Sequence, residues 1–272
     1  MTVFEKALIE IREIEAISKN LPLDEKDIRK SFFLMLVESL NAFYFGYVFV
    51  HISNQIQSGR LKFIGTPSYH ITNIICLGRK QWHEGYLRAL NRHLVIDAWS
   101  VFEIVITSII HKLLNKEQLN RMAMYQYYEV EKILNRNSSN IDAEVLKVLE
   151  KKLKHTHIPI PRKIDCFFKI VKDNYKNDII SHKKFLNFFN HLRNSMHNNF
   201  IYLGNDYEYV FNKTTVTFKK GKPIWFSANE ADMPFFLLDI VKNLAFIFQS
   251  MVNAIDVNVS ITDAIFDDSQ FL

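Results

Sequence analysis

The scarcity of glycine and proline constrains this chain more than any other feature of its sequence. Seven Gly and six Pro occur in 272 residues, well below their average shares of about 7% and 5%. Few positions therefore favour tight turns. The hydrophobic share of 48% and the charged share of 23% are ordinary for a globular protein. Together these features predict long helices rather than a β-sandwich or a glycine-rich nucleotide-binding α/β fold.

Apolar residues recur every three to four positions along most of the chain, the period of an amphipathic helix. We expect a helix from Val3 to Ser18 and a second one capped by Asp24. Further helices are expected over 117–134, 141–153, 162–175, 179–200 and 234–254, and two long helices within 68–114 that meet near residues 89–93. Between residues 207 and 226 the period changes to two, which predicts small antiparallel strands.

The pattern predicts a mainly α protein, a helical bundle with a small antiparallel β-hairpin insertion near the C-terminus. We expect an N-terminal helical extension over 1–66 that packs on the bundle, a helical domain over 67–256 with its hairpin at about 207–227, and an acidic tail over 257–272. The Pro159–Pro161 stretch must be extended, because a residue before proline avoids helical conformations. It is either a loop or a domain boundary, so the domain count stays open.

Charge is distributed unevenly along the chain. The formal net charge is +5, but residues 147–184 carry a net +7 and residues 228–272 a net −6. A basic segment with interleaved aromatic residues is able to contact phosphates and stack on bases. The candidate RNA-binding residues are Lys169, Lys172, Lys183 and Lys184. The alternatives are a solvated helix face over a core stripe, or attraction between the two oppositely charged parts of the molecule.

Several features predict a cytoplasmic protein without a membrane segment. The N-terminal residues contain four Glu, unlike a secretory leader, and the widely separated Cys76 and Cys166 are typical of buried thiols in a reducing compartment. The apolar runs over 32–50 and 94–114 approach the length of a membrane span. Both contain acidic residues, so we interpret them as core helices. A membrane-associated helical protein is the alternative.

No glycine-rich phosphate loop, paired-cysteine zinc spacing or His-Glu-x-x-His sequence occurs in the chain. We therefore expect no cofactor and no metal. His155 and His157 alternate, but no third ligand lies near them in the sequence.

The best candidate site lies on the helix expected over 179–200. Arg193 and His197 are four residues apart and so share one face, with Asn190, Asn194 and Asn198 beside them. Imidazole exchanges protons near neutral pH, and guanidinium stabilises charge on phosphate, so the pair suits phosphodiester cleavage without a metal. The alternative is a solvated face that carries an Arg and a His by chance.

Residues 191–199, His-Leu-Arg-Asn-Ser-Met-His-Asn-Asn, resemble the Arg-polar-x-His motif of the HEPN superfamily of all-helical domains, which includes many metal-independent ribonucleases. The resemblance implies that Arg193 binds the scissile phosphate, Asn194 assists it, and His197 acts as acid or base, with Asn190 and Asn198 in support. It also implies RNA as substrate, tRNA included, a homodimer with a composite site, a role in toxin–antitoxin or phage defence, and an antitoxin protein as a possible partner.

Two further features bear on this resemblance. The run from Asp97 to Glu103 resembles the acid-bearing helix that packs across from the motif, so both acids are supporting candidates, and Arg193 is a candidate partner for Glu103. Three residues separate Arg193 from His197, whereas the family usually has four to six. The short spacing favours the alternative function, a non-catalytic HEPN-like dimerising module that binds a nucleotide, RNA or protein.

Overall fold

A computed structural model describes residues 1–61, 80–123, 158–229, 231–256 and 258–262. This part of the chain is mainly helical, with a small antiparallel sheet between its last two helices, so the predicted fold class is confirmed at that level. The elements are α1 (Val3–Asn20), α2 (Ile28–Gln57), α3 (Lys80–Leu113), α4 (Lys116–Ala123), α5 (Ile160–Val171), α6 (Ile179–His197), β1 (Tyr207–Phe211), β2 (Thr214–Phe218), β3 (Trp225–Phe226) and α7 (Met233–Val252).

Side-chain caps fix where the helices begin. Thr2 and Glu5 form a capping box at the start of α1. The N-cap of α2 is Asp27 and not the expected Asp24, because the Asp27 carboxylate accepts the backbone N–H of Arg29. Asp24 instead accepts the N–H of Lys26 within the preceding turn. Each cap satisfies backbone donors that the first helical turn leaves unpaired.

The expectation of two helices that meet near residues 89–93 is wrong. α3 runs unbroken through this region from Lys80 to Leu113. No proline occurs in it, and Gly85 is its one glycine. A single glycine costs a helix about 1 kcal/mol, too little to end one that is otherwise stabilised by packing.

One hydrophobic core joins the helices of the described residues, and aromatic rings connect several of them across it. Phe32 of α2 and Phe248 of α7 lie with ring centroids 4.0 Å apart. The rings of Trp99 on α3 and Phe189 on α6 are stacked, with centroids 5.3 Å apart. The core therefore fixes α6 directly against α3.

Gly46 lets α2 and α3 approach closely. A Cβ atom at this position would lie 2.2 Å from Cδ1 of Leu90, far inside van der Waals contact. The Tyr47 hydroxyl on α2 donates to the side-chain oxygen of Asn91 on α3 at 2.9 Å. Glycine at position 46 thus gives Leu90 the space it occupies between the two long helices, and a side chain there would force Leu90 to move.

The small sheet has the strand order β1-β2-β3, and both pairs are antiparallel. Asn212 and Lys213 connect β1 to β2, and both have positive φ, as a two-residue type I′ hairpin turn requires. The ring of Tyr209 on β1 stacks on Phe188 of α6, with centroids 4.5 Å apart. The sheet therefore covers one side of α6 while α3 contacts another.

A C-terminal segment, residues 258–262, closes over the start of α2. The buried guanidinium of Arg29 donates to both carboxylate oxygens of Asp27, and its Nη2 also donates to the carbonyl oxygen of Val259 at 2.5 Å. The backbone N–H of Ile28 donates to the carbonyl of Ile261 at 2.8 Å. Residues 258–262 were expected to belong to the acidic tail, but these contacts make them part of the folded structure.

Ion pairs connect α7 to α1. Lys6 lies 2.5 Å from Asp239, and Lys242 lies 3.0 Å from Glu10 and 2.6 Å from Glu13. Glu10 is buried, and this burial raises the pKa of its carboxyl although Lys242 opposes the shift. Asp239 and Lys242 of α7 thus both have ion-pair partners on α1.

The prediction of a cytoplasmic protein is contradicted. Three helices of the described residues are long and apolar enough to cross a membrane: α2, the part of α3 over His83–Leu113, and α7. Length and composition thus indicate a membrane-associated protein. The most apolar window of α2 is 39% buried, against 61% for that of α7. Along α2, the side chains of Phe45, Phe49 and Ile52 are exposed.

Some predictions concern residues outside the described ranges. They are the division between 66 and 67, the helices over 124–134 and 141–153, Cys76, His155 and His157, and the end of the acidic tail over 263–272. The expectation that the whole Pro159–Pro161 stretch is extended is wrong, because only Pro159 is extended and Ile160, which precedes Pro161, is the first residue of α5. Pro159 is its N-cap, and Pro161 occupies its first turn, a position that tolerates proline because the N–H there is unpaired in any helix.

Candidate functional site

The end of α6 is shaped by an unusual turn. The Asn198 N–H closes the helix on the carbonyls of Asn194 and Ser195, and the next two residues, Asn199 and Phe200, both have left-handed φ values of 54° and 67°. Such conformations are uncommon for residues other than glycine, and phenylalanine adopts them least readily of the two. The carbonyl of Phe200 accepts the N–H of Ile224 at 3.0 Å, which holds the turn in place.

A cavity of about 330 Å³ lies between the end of α6 and the first half of α3. Its volume is at the lower end of the range typical of small-ligand sites. It is lined by Arg92, His93, Ile96, Asp97, Met196 and His197. The structure thus brings together two of the predicted residues, His197 and Asp97, from helices that are far apart in sequence.

The two helices run antiparallel past the cavity. Trp99 stacks on Phe189 deeper in the bundle, while α3 residues nearer its N-terminus meet Met196 and His197 at the end of α6. Four polar side chains therefore surround the cavity from two walls: Arg92, His93 and Asp97 on one, and His197 on the other.

Sequence reasoning missed Arg92 and His93. The signal that was available is their position one turn before Asp97, because His93 and Asp97 are four residues apart and share one face of a helix. These residues reach the cavity only because α3 is continuous and crosses the end of α6.

Arg193, the predicted phosphate-binding residue, does not line this cavity. Its Nη1 donates to the side-chain oxygen of Asn194 at 2.9 Å, and Asn194 in turn donates to Asn190 at 3.2 Å. Its Nε is buried and has no hydrogen-bond partner among the described residues. Arg193 is half-buried one helical turn before His197, and Asn198 is exposed as the C-cap.

Glu103 lies beside a different cation from the expected Arg193. Lys163 of α5 is buried against α3, where its Nζ donates to the hydroxyl of Thr107 at 2.7 Å. Burial lowers the pKa of Lys163, and the charge of Glu103 opposes that shift. Glu103 therefore supports the contact between α3 and α5, six residues beyond Asp97 along α3.

The predicted RNA-binding lysines lie away from the cavity. Lys183 pairs with Asp165 of α5, and Lys169, Lys172 and Lys184 are exposed. His197 lies fourteen positions after Lys183 on α6, a rise of about 20 Å along the helix. The structure thus places these lysines near the opposite end of α6.

His191 lies on the side of α6 that faces the sheet. Its ring packs against Tyr202, Tyr207 and Phe218, and its Nδ1 lies 3.3 Å from the Tyr202 hydroxyl. Burial lowers the pKa of His191, because an apolar environment disfavours the charged imidazole. This histidine is a packing residue, unlike the exposed His197 three positions after Asn194.

The polar groups of the cavity suit a phosphate-containing ligand. Guanidinium is always cationic and binds phosphate oxygens in a bidentate manner, and two imidazoles are able to donate or accept protons. Among the described residues, no group of three or more His, Cys, Asp or Glu side chains is placed to hold a metal ion.

Comparisons with protein-family models, with curated proteins and with solved structures found no match to this chain. The resemblance to the HEPN superfamily therefore depends on the residues of α6 and α3 quoted above.

Proposed function

We propose that this protein is an endoribonuclease of HEPN type that cleaves RNA without a metal, and that His197 is its acid or base. The observation that carries the proposal is the convergence of His197 with Arg92 and Asp97 on one cavity. A histidine that exchanges protons and an arginine that stabilises phosphate are both groups that promote RNA cleavage by the 2′-hydroxyl.

The proposed substrate is single-stranded RNA, with tRNA as one candidate. The cavity is open and small, which suits a phosphodiester with part of one nucleoside rather than a duplex. The lysines near the opposite end of α6 contribute phosphate contacts to a longer RNA, since about 20 Å corresponds to a few nucleotides of an extended strand. A homodimer, and an antitoxin as a further partner, are parts of the same proposal.

The test is incubation of wild-type protein with total RNA, tRNA and a DNA oligonucleotide in EDTA, followed by analysis of the product ends. We expect cleavage of RNA, no cleavage of DNA, and 2′,3′-cyclic phosphate ends, because the 2′-hydroxyl is the nucleophile. His197→Ala should abolish cleavage. His111→Ala is the matched control, since His111 is an exposed histidine at the far end of α3.

The second candidate is a non-catalytic module that binds RNA, a nucleotide or a protein. It is favoured by Arg193, whose guanidinium bonds to Asn194 and does not line the cavity. If folded wild-type protein leaves RNA intact but binds it, and His197→Ala weakens that binding, the module replaces the nuclease.

A further inference from the structure

Cleavage of RNA by its 2′-hydroxyl involves two proton transfers. The 2′-hydroxyl loses a proton as it attacks phosphorus, and the 5′-oxygen gains one as it leaves. The attacking and leaving oxygens lie on opposite sides of the phosphorus atom, so a single imidazole cannot serve both at the same moment. A site with one acid or base is therefore incomplete, and a second group on the other side of the phosphate adds about 10²- to 10⁴-fold in rate.

The cavity contains one other group that is able to serve as either the acid or the base. Arginine does not release its proton in proteins, and a carboxylic acid is ordinarily ionised at neutral pH. Imidazole is the side chain that both accepts and donates protons there. The two imidazoles that line the cavity are His197 and His93, and neither Arg193 nor Asn194 lines it.

The position of His93 fits this role. It belongs to α3 and His197 belongs to α6, so the two imidazoles approach the cavity from different walls. Both side chains are exposed and are therefore accessible to a substrate. Asp97, one turn after His93 on the same wall, supplies negative charge near the ring, and Arg92 supplies positive charge for the phosphate. Ile96 and Met196 complete the lining with apolar surface.

We propose that His93 is the second catalytic residue of this site, and that His93 and His197 act as an acid–base pair on a single-stranded RNA phosphodiester. This inference rests on the proposed ribonuclease function. One neutral imidazole accepts the proton of the 2′-hydroxyl as the bond from the 2′-oxygen to phosphorus forms. The other, protonated imidazole donates its proton to the 5′-oxygen as the bond from phosphorus to that oxygen breaks. The products are a 2′,3′-cyclic phosphate and a 5′-hydroxyl, and no redox partner is consumed.

The experiment compares His93→Gln, His197→Gln and the control His111→Gln on two RNAs. The first is ordinary RNA, and the second carries sulfur in place of the 5′-oxygen at the bond that wild type cuts. A thiolate leaves without a proton, so the second RNA needs no acid. We expect both site variants to lose about 10²-fold or more on ordinary RNA. On the sulfur-containing RNA, the variant that lacks the acid should recover, while the variant that lacks the base should not.

Each outcome decides a different point. Circular dichroism and thermal melting verify that each variant is folded. If the His93→Gln variant cleaves ordinary RNA as fast as wild type, the role of His93 is overturned and the proposed ribonuclease function is unaffected. Loss by both variants on both RNAs, without recovery, overturns the acid–base pair. Wild-type protein that cleaves neither RNA overturns the proposed function, and this inference with it.

Discussion

At the scale of single residues, two arginines on one face of α3 differ in their position relative to the cavity. Arg92 lines the cavity, whereas Arg88, one turn earlier on α3, does not. We expect Arg92→Gln to lower the rate of RNA cleavage about 100-fold, the usual effect of removing one group that stabilises transition-state charge. Arg88→Gln should leave the rate close to wild type. Single-turnover cleavage rates measure both variants, and equal losses would place phosphate recognition along the helix rather than in the cavity.

Two half-buried histidines, His182 and His191, make stability depend on pH. Burial lowers the pKa of His191, and burial also lowers the pKa of His182, against the opposing charge of Asp178. The unfolded chain therefore binds protons more readily than the folded one as the pH falls. The stability that these neutral imidazoles contribute is present above their ordinary pKa and is lost on acidification.

We expect the melting temperature to fall between about pH 7 and about pH 5, and His191→Phe to make that fall smaller because the ring at this position no longer titrates. His111→Phe, at an exposed histidine, is the control. Thermal melts at several pH values measure the slope. The same slope in His191→Phe as in wild type would contradict this account.

At the scale of elements, the contact between α2 and α3 depends on one missing side chain. Gly46 leaves the space that Leu90 fills. Gly46→Val should destabilise the protein by about 1–3 kcal/mol, because an overpacked contact forces neighbours to move. Leu90→Ala in the same chain should recover part of that loss. Denaturant unfolding of the two single variants and the double variant measures the coupling, and strictly additive losses would show that the two residues do not share the space.

The helices show why local and nonlocal features differ in how well sequence predicts them. α1, α6, α7 and the small sheet were expected close to their observed bounds, because periodicity, caps and turn residues act within a few positions. The break expected in α3 is wrong, since packing overrides a weak local signal. Arg92 and His93 were missed because their role depends on a contact between distant parts of the chain. Only the crossing of α3 with α6 brings them near His197, and no local pattern reports that crossing.

At the scale of the whole molecule, α2 carries more exposed large hydrophobic side chains than any other element of the described residues. Phe45 and Phe49 are 64% and 51% exposed on a helix whose length and composition suit a membrane. We expect part of the protein to sediment with lipid vesicles, and Phe45→Ser with Phe49→Ser to reduce that part, since each buried Phe side chain contributes about 1.5–3 kcal/mol. Ile180→Ser on α6 is the matched control, as its side chain is 66% exposed. Equal sedimentation of all three proteins would contradict a lipid contact at α2.

The pairing of residues 258–262 with the start of α2 affects the order in which contacts form while the chain is synthesised. Arg29 leaves the ribosome early, yet its carbonyl partner Val259 follows 230 residues later. Until then a guanidinium that is 1% exposed in the finished protein lacks one of its acceptors, and the first turn of α2 lacks the strand-like segment that covers it. Contacts of such long sequence separation form slowly. The contact at the first turn of α2 therefore forms only after Val259 has been synthesised, which places it among the last contacts of the described chain to form.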